Sequence, residues 1–264
     1  MLEVVDVSKT FNPGTVNENP VLKGLSLKLT PGDFVTIIGG NGAGKSTLMN
    51  IISGVLFPDH GRVYLGTHDV TYMPEYRRAR FLGRVFQDPM QGTAGDMEVV
   101  ENLAMASQRG SLRGLRWNLK AHQFAYFQEL LASLDLGLEN RLHAKVKLLS
   151  GGQRQALTLL MAAMNQPDLL LLDEHTAALD PKTAQKVMQV TQRVVAADQL
   201  TTLMITHNMQ QAIQYGNRLI MMDSGKVVLD IEGEDKKRLT VEQLLAKFVT
   251  ASGNALANDR MLLS

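Results

Sequence analysis

A glycine-rich loop in the first fifth of the chain places the strongest constraint on how this protein can fold. It matches the pattern G-x-x-x-x-G-K-[ST]. The apolar run Phe34–Ile38 predicts a buried strand before the loop, and residues 46–53 predict a helix after it. Backbone N–H groups at such a helix N-terminus attract phosphate. The loop residues are Gly39, Gly40, Asn41, Gly42, Ala43, Gly44, Lys45, Ser46 and Thr47.

This loop therefore predicts a nucleotide-binding site. In the pattern, the Lys45 ammonium reaches the β- and γ-phosphates, and the Ser46 hydroxyl coordinates Mg²⁺.

Composition narrows the remaining classes of function. The formal net charge of +1 gives no electrostatic reason for a nucleic-acid partner, so we expect none. Because the chain has no cysteine, disulfides, iron–sulfur clusters and thiolate zinc sites are excluded. Residues 1–7 alternate like a strand and do not resemble a signal peptide. Since no stretch approaches the ~18 apolar residues of a membrane span, we expect a chain that is soluble by itself.

The order of the predicted elements indicates an α/β fold. Alternation over Val21–Leu29 predicts a sheet with one buried face, and the apolar run Leu169–Leu172 predicts a central parallel strand. Strands that alternate with helices favour a mostly parallel sheet with helices on both faces. Further strands are predicted at 2–7, 61–65, 84–86, 202–206, 219–222 and 226–229, and helices at 97–108, 122–136, 153–165, 182–197 and 241–249.

The basic, glycine-broken connector Arg109–Trp117 lies between two predicted helices. A cluster of arginine and tryptophan can contact nucleic acid. Such a segment more commonly forms a solvated loop with one aromatic ring packed against the protein, and we interpret the connector in that way.

Two acidic residues follow the apolar strand. In a protein with this phosphate loop, Asp173 belongs in the Mg²⁺ shell, and Glu174 can orient or deprotonate an attacking water. Because neighbouring strand side chains point to opposite faces, we expect the two carboxylates to have different roles. His175 and His143 are assigned no catalytic role.

A second phosphate-binding terminus is predicted at Ser150, Gly151, Gly152 and Gln153, which follow Leu149. Two glycines beside a hydroxyl at a helix start again expose backbone N–H groups. A chain with one nucleotide loop needs no second one for itself. We therefore expect this terminus to contact the nucleotide of a neighbouring molecule.

These motifs together resemble the ATP-binding subunits of ABC transporters. The similarity extends from about Leu2 to about Glu232, and LSGGQ followed by a strand ending in Asp-Glu is its most specific part. The resemblance implies a P-loop NTPase (RecA-like) core with an N-terminal antiparallel β subdomain and an inserted α-helical subdomain. It implies one domain over 1–250, with the core at 1–87 and 151–232, the helical subdomain at 88–150, a C-terminal helix at 241–249 and a polar tail at 251–264.

Further site residues follow from this resemblance alone. Gln87 corresponds to the glutamine that senses Mg²⁺ and the permease, and Asp180 belongs to a loop that crosses to the partner subunit. His207 matches the histidine that contacts the γ-phosphate, beside the catalytic glutamate. Phe11 stands where an aromatic ring stacks on adenine. The implied activity is ATP hydrolysis to ADP and phosphate, with ATP and Mg²⁺ as cofactors.

The resemblance also implies partners and a location. ATP binding joins two copies into a homodimer, which works with integral membrane permease subunits and an extracytoplasmic substrate-binding protein. The subunit then lies at the cytoplasmic face of the cell membrane. Residues 169–181 and 202–209 resemble an importer branch labelled for tryptophan or tyrosine uptake. A lipid or lipoprotein exporter ATPase and an iron–sulfur assembly ATPase remain as alternatives.

Overall fold

The computed structural model describes residues 1–110 and 121–252, and the chain separates into two compact units. The first unit contains Met1–Arg78 and the chain from Leu200 onward, and the second contains Ala79–Gln199. The boundaries expected at 87/88 and 150/151 stay predictions. Most of the connector expected at 109–117 and nearly all of the tail expected at 251–264 lie outside the described residues.

The chain contains ten strands and nine α-helices within residues 1–110 and 121–252. The strands are β1 (Leu2–Phe11), β2 (Asn19–Leu29), β3 (Phe34–Ile38), β4 (His60–Leu65), β5 (His68–Asp69), β6 (Leu82–Val85), β7 (Leu169–Asp173), β8 (Thr202–Ile205), β9 (Arg218–Asp223) and β10 (Lys226–Glu232). The α-helices are α1 (Lys45–Ser53), α2 (Glu75–Arg78), α3 (Val99–Ser107), α4 (Ala121–Ala132), α5 (Gly151–Ala163), α6 (Pro181–Ala197), α7 (Met209–Gln214), α8 (Gly233–Lys237) and α9 (Val241–Ser252).

The first unit contains an antiparallel sheet in the order β2-β1-β4-β5. Leu25, Leu27 and Leu29 are buried along β2, whereas Ser26 and Lys28 between them are exposed. This alternation places one face of the strand in the core, as the period of two predicts. The N-terminal antiparallel sheet is therefore confirmed.

The first unit also contains a group of paired strands with β3 in the middle. This strand is buried along its whole length and pairs in parallel with β8 on one side and β9 on the other. The strand β10 adds antiparallel to β9. In the second unit, β6 and β7 form a parallel pair. The predicted α/β class with mostly parallel pairing is confirmed.

Helix α5 is buried on most of its surface and not on a single face. Gly152 explains part of this, because a Cβ atom built there would lie 2.3 Å from Cγ2 of Thr183 on α6. The two helices pack too closely at this point for any larger side chain. Among the helices at 1–110 and 121–252, none is long and apolar enough to cross a membrane.

Candidate nucleotide-binding site

The glycine loop leaves β3 through backbone that only glycine can provide. Gly39 has a φ of +158°, and a Cβ atom there would lie 2.3 Å from the carbonyl oxygen of Met222 on β9. Gly44 has a φ of +97° and stands at the N-terminus of α1, where a Cβ atom would meet Leu22 Cδ2 at 2.8 Å. The loop lies close to the neighbouring strands and has an unusual backbone conformation at both glycines. A larger residue at either position would therefore be strained.

Lys45 is the first residue of α1 and is only 8% exposed. Its ammonium donates to the carbonyl oxygens of Gly39 at 2.6 Å and Gly40 at 3.1 Å. The side chain therefore folds back along the loop and holds its positive charge against the backbone. A cation at the N-terminus of a helix meets the positive end of the helix dipole, so the arrangement favours an added anion.

His207 lies at the same edge of the sheet as the glycine loop. Because β3 and β8 are parallel neighbours, with Ile37 beside Ile205, the loop after each strand leaves from the same end. His207 is exposed, and it stands between the buried Thr206 and Asn208, the N-cap residue of α7. The first unit thus brings His207 and the glycine loop to one edge, and the contact of His207 with the γ-phosphate stays a prediction.

Phe11 is the last residue of β1 and is partly exposed. The Nζ atom of Lys9 lies 6.0 Å from the centroid of its ring. An aromatic face with a nearby cation can accept a flat base, and the role in adenine stacking stays a prediction.

In the second unit, β6 and β7 are parallel neighbours; Gln87 lies two residues beyond the end of β6, and Asp173 is the last residue of β7. Gln87 is exposed, and Asp173 is partly buried. Arg84, which the sequence analysis did not include, pairs with Asp173 at 3.0 Å between Nη2 and Oδ2. The guanidinium also lies 4.7 Å above the ring of Phe86. Arg84 therefore holds one carboxylate oxygen of Asp173 in place.

Glu174 is not part of β7, and this corrects the argument from strand alternation. The strand ends at Asp173, and Glu174 has a φ of +46°, in the left-handed region. The two carboxylates are separated by a change in backbone direction and not by the pleat of a strand. The difference in their environments remains, but its cause is the turn.

Ser150 is the N-cap residue of α5. Its hydroxyl accepts a hydrogen bond from the N–H of Gln153 at 3.2 Å, and the Gln153 side chain accepts from the N–H of Ser150 at 3.1 Å. This capping box satisfies two amide donors and fixes the start of the helix. Ser150 and Gly151 are exposed, whereas Gly152 is buried against α6. Gly152 thus has a packing role that no local sequence pattern indicates.

Asp180 caps α6 in the same way, with its Oδ1 accepting from the N–H of Thr183 at 3.1 Å. Hydrogen bonds from Thr183 hold the pKa of this carboxyl below its usual value. The carboxylate is exposed at the surface of the second unit.

The candidate ligands for Mg²⁺ are all oxygen donors. Ser46 offers a hydroxyl, Asp173 a carboxylate and Gln87 an amide oxygen, and this donor chemistry fits a hard cation. Within 1–110 and 121–252, no group of three His, Cys, Asp or Glu residues could hold a metal. Magnesium that is shared with a nucleotide needs only one or two carboxylates, because phosphate oxygens and water complete its shell.

Comparison with known proteins identifies the family. The sequence model described as "ABC transporter" matches residues 22–177, which is more than half of the chain. The chain belongs to the ABC transporter ATP-binding family. As its members are ATPases, this protein is an ATPase and the ATP-binding subunit of an ABC transporter. Cassettes of this family act as dimers with membrane permease partners.

Individual relatives span nearly the whole ABC subunit. A tyrosine transport ATP-binding protein of Clostridioides difficile is 46% identical over 94% of this chain and 98% of its own length. A Staphylococcus aureus protein whose name describes hemin import, HrtA, is 31% identical over 86% of this chain and 98% of its own length.

Solved structures agree with the fold. The ADP conformation of the cassette MJ1267 has a TM-score of 0.76 at 28% identity, covering 94% of this chain and 98% of that one. A dimeric post-hydrolysis state of the cassette MJ0796, bound to ADP and Pi, has a TM-score of 0.73 at 29% identity, covering 88% and 98%.

Proposed function

We propose that this ABC subunit energises the uptake of a small solute, with an amino acid such as tyrosine as the substrate. The observation that carries the proposal is the 46% identity to the tyrosine transport protein of C. difficile over 94% of the chain. The similarity to HrtA is weaker, at 31% identity over 86% of the chain, and it makes hemin the second candidate substrate.

The proposed chemistry begins at the glycine loop. The backbone N–H groups of residues 39–47 bind the phosphates of ATP, and Lys45 offsets the charge of the β- and γ-phosphates. Its buried ammonium, already held at the carbonyl oxygens of Gly39 and Gly40, supports this role. Phe11 stacks on the adenine base. Ser46, Gln87 and Asp173 provide oxygen ligands for Mg²⁺, which supplies electrostatic stabilisation of the phosphate groups.

Hydrolysis requires a positioned water and stabilised charge. Glu174 orients or deprotonates the water, and His207 contacts the γ-phosphate. The position of His207 at the edge where the glycine loop begins supports its assignment.

We further propose that the signature residues act on the nucleotide of a second copy. Ser150, Gly151, Gly152 and Gln153, together with Asp180, then face the partner's ATP. The exposed Ser150 hydroxyl supports this, because it accepts from Gln153 and keeps its own proton for an added phosphate. The γ-phosphate thus favours the closed homodimer, which separates after hydrolysis.

In the proposed assembly, two copies of the subunit lie at the cytoplasmic face of the membrane and drive permease subunits. An extracytoplasmic binding protein delivers the substrate.

The dimer part of the proposal is tested with Glu174→Gln. This change keeps the size of the side chain but removes the carboxylate, so we expect ATP to bind without rapid hydrolysis. Light scattering after size exclusion should report a dimer with MgATP and a monomer with MgADP. A variant that stays monomeric at saturating MgATP contradicts the proposal.

The transport part is tested with the complete complex in lipid vesicles. ATPase activity should rise when the binding protein is loaded with tyrosine and should remain basal with hemin. Stimulation by hemin alone would assign the second candidate substrate, and stimulation by neither would contradict both uptake functions.

A further inference from the structure

His175 lies directly after Glu174, yet it takes no part in the chemistry proposed above. Its side chain is buried, with 2% of the residue exposed, and it packs against α6. Its Nε2 atom is 3.1 Å from the hydroxyl oxygen of Thr191, which is itself completely buried. A buried polar contact of this kind is costly to break, because neither group can turn to water.

The hydrogen-bond pattern identifies the tautomer of the ring. The Thr191 hydroxyl donates its one proton to the carbonyl oxygen of Val187 at 2.9 Å. The same oxygen must therefore accept from His175, so Nε2 carries the hydrogen. Burial also lowers the pKa of His175 to about 4, which keeps the ring neutral near pH 7.

The contact joins the turn that contains Glu174 to α6, the helix that follows it. β7 ends one residue before Glu174, and α6 begins seven residues after it, at Pro181. Between them, Glu174 holds its left-handed φ of +46°, and its carbonyl oxygen accepts from the N–H of Ala177 at 2.9 Å. A residue with a Cβ atom stays in this backbone region only when its surroundings hold it there.

We propose that His175 is a positioning residue for Glu174. The hydrogen bond from its ring to Thr191 anchors the turn after β7 on α6, and so fixes the backbone from which the Glu174 carboxylate reaches the attacking water. The inference rests on the proposed role of Glu174 in hydrolysis. His175 itself touches neither nucleotide nor water in this scheme.

Thr191 provides a matched pair of variants that leaves the active residues unchanged. Thr191→Val keeps the shape of the side chain but removes the acceptor, and Thr191→Ser keeps the hydroxyl. We expect Thr191→Val to lower kcat about 10-fold, which corresponds to a small misplacement of a catalytic group. KM for MgATP and the affinity for a non-hydrolysable ATP analogue should stay within about 2-fold, because the phosphate loop is untouched. Thr191→Ser should retain most of the wild-type kcat.

A double-mutant cycle with Glu174→Gln tests whether the effect passes through Glu174. If it does, adding Thr191→Val to Glu174→Gln causes no further loss of kcat. If the double variant loses kcat by the product of the two single fold-reductions, the effects are independent and the inference is overturned. An unchanged kcat in Thr191→Val would also overturn it. If Glu174→Gln alone leaves kcat unchanged, the proposed role of Glu174 fails first, and the two failures are distinguished.

His175 variants provide a second route if Thr191→Val does not fold. The amide of His175→Gln can donate to Thr191, whereas His175→Leu cannot. We expect the glutamine variant to retain several-fold more kcat than the leucine variant, with equal nucleotide affinity. Equal kcat in the two variants would overturn the inference.

Discussion

The buried imidazole of His175 should make the folded ABC subunit sensitive to mild acid. Burial lowers its pKa from 6.5 to about 4, and desolvation is the cause. Between these values, the unfolded chain binds a proton that the folded chain does not accept. The free energy of unfolding therefore rises with pH across this window and is lost as the pH falls from 6.5 toward 4.

The size of the effect follows from the shift. The change in pKa from 6.5 to about 4, at ~1.36 kcal/mol per pH unit, corresponds to roughly 3 kcal/mol. A domain is typically stable by about 5–15 kcal/mol, so a loss of this size is a large fraction of the free energy of unfolding.

Urea unfolding, followed by far-UV circular dichroism between about pH 7 and pH 4.5, measures the effect in wild type and His175→Gln. Glutamine carries no titrating group, so the difference in unfolding free energy between the two proteins should shift by roughly 2–3 kcal/mol across this range. Carboxyl groups with lowered pKa values contribute equally to both proteins and cancel. His175→Leu, which also carries no titrating group, is the control and should show the same pH-dependent difference from the wild type. A difference that stays constant with pH would refute the reasoning.

Three further changes have defined outcomes. Lys45→Ala should weaken binding of a non-hydrolysable ATP analogue by ~1.5–3 kcal/mol in calorimetry, because it removes a charge-assisted hydrogen bond, and the exposed Lys186→Ala should not. Arg78→Met should lower the urea-derived free energy of unfolding by about 3 kcal/mol, because the buried guanidinium donates to four backbone carbonyl oxygens. Arg77→Met, at the exposed neighbouring position, should change it little. Burial lowers the pKa of Lys236 to about 8. The wild type should therefore gain stability relative to Lys236→Met as the pH rises from about 8 to 10.5. A difference in unfolding free energy that does not change with pH would contradict this.

Local patterns predicted the elements that carry the motifs. The strand Phe34–Ile38 has the predicted bounds, and the helix after the loop begins at Lys45, one residue early. Alternation and apolar runs are properties of neighbouring residues, which is why they can be recognised without a fold. The short helices α2, α7 and α8 and the strand β5 were missed, because elements of two to six residues are too short to show a period.

The sequence predicted which residues belong to the site and what each would do. It did not predict their side-chain partners or their backbone conformations. The pairing of Arg84 with Asp173 joins residues 89 positions apart, and no local pattern indicates it. The left-handed Glu174 was also missed, since the apolar run gives no sign that the strand ends one residue before it.

The sequence by itself therefore determined the phosphate loop, the acidic pair, the signature residues and the family to which the ABC subunit belongs. Each of these features is a set of residue types at a fixed spacing, because binding phosphate and Mg²⁺ requires particular chemical groups close together in the chain. Only the tertiary structure decided that Gly152 makes room for α6, that Arg78 satisfies the carbonyl oxygens at the end of α1, and that His175 hydrogen-bonds to Thr191. Such contacts join residues that are distant in the chain, and they arise because each buried polar group needs a partner once water has been excluded.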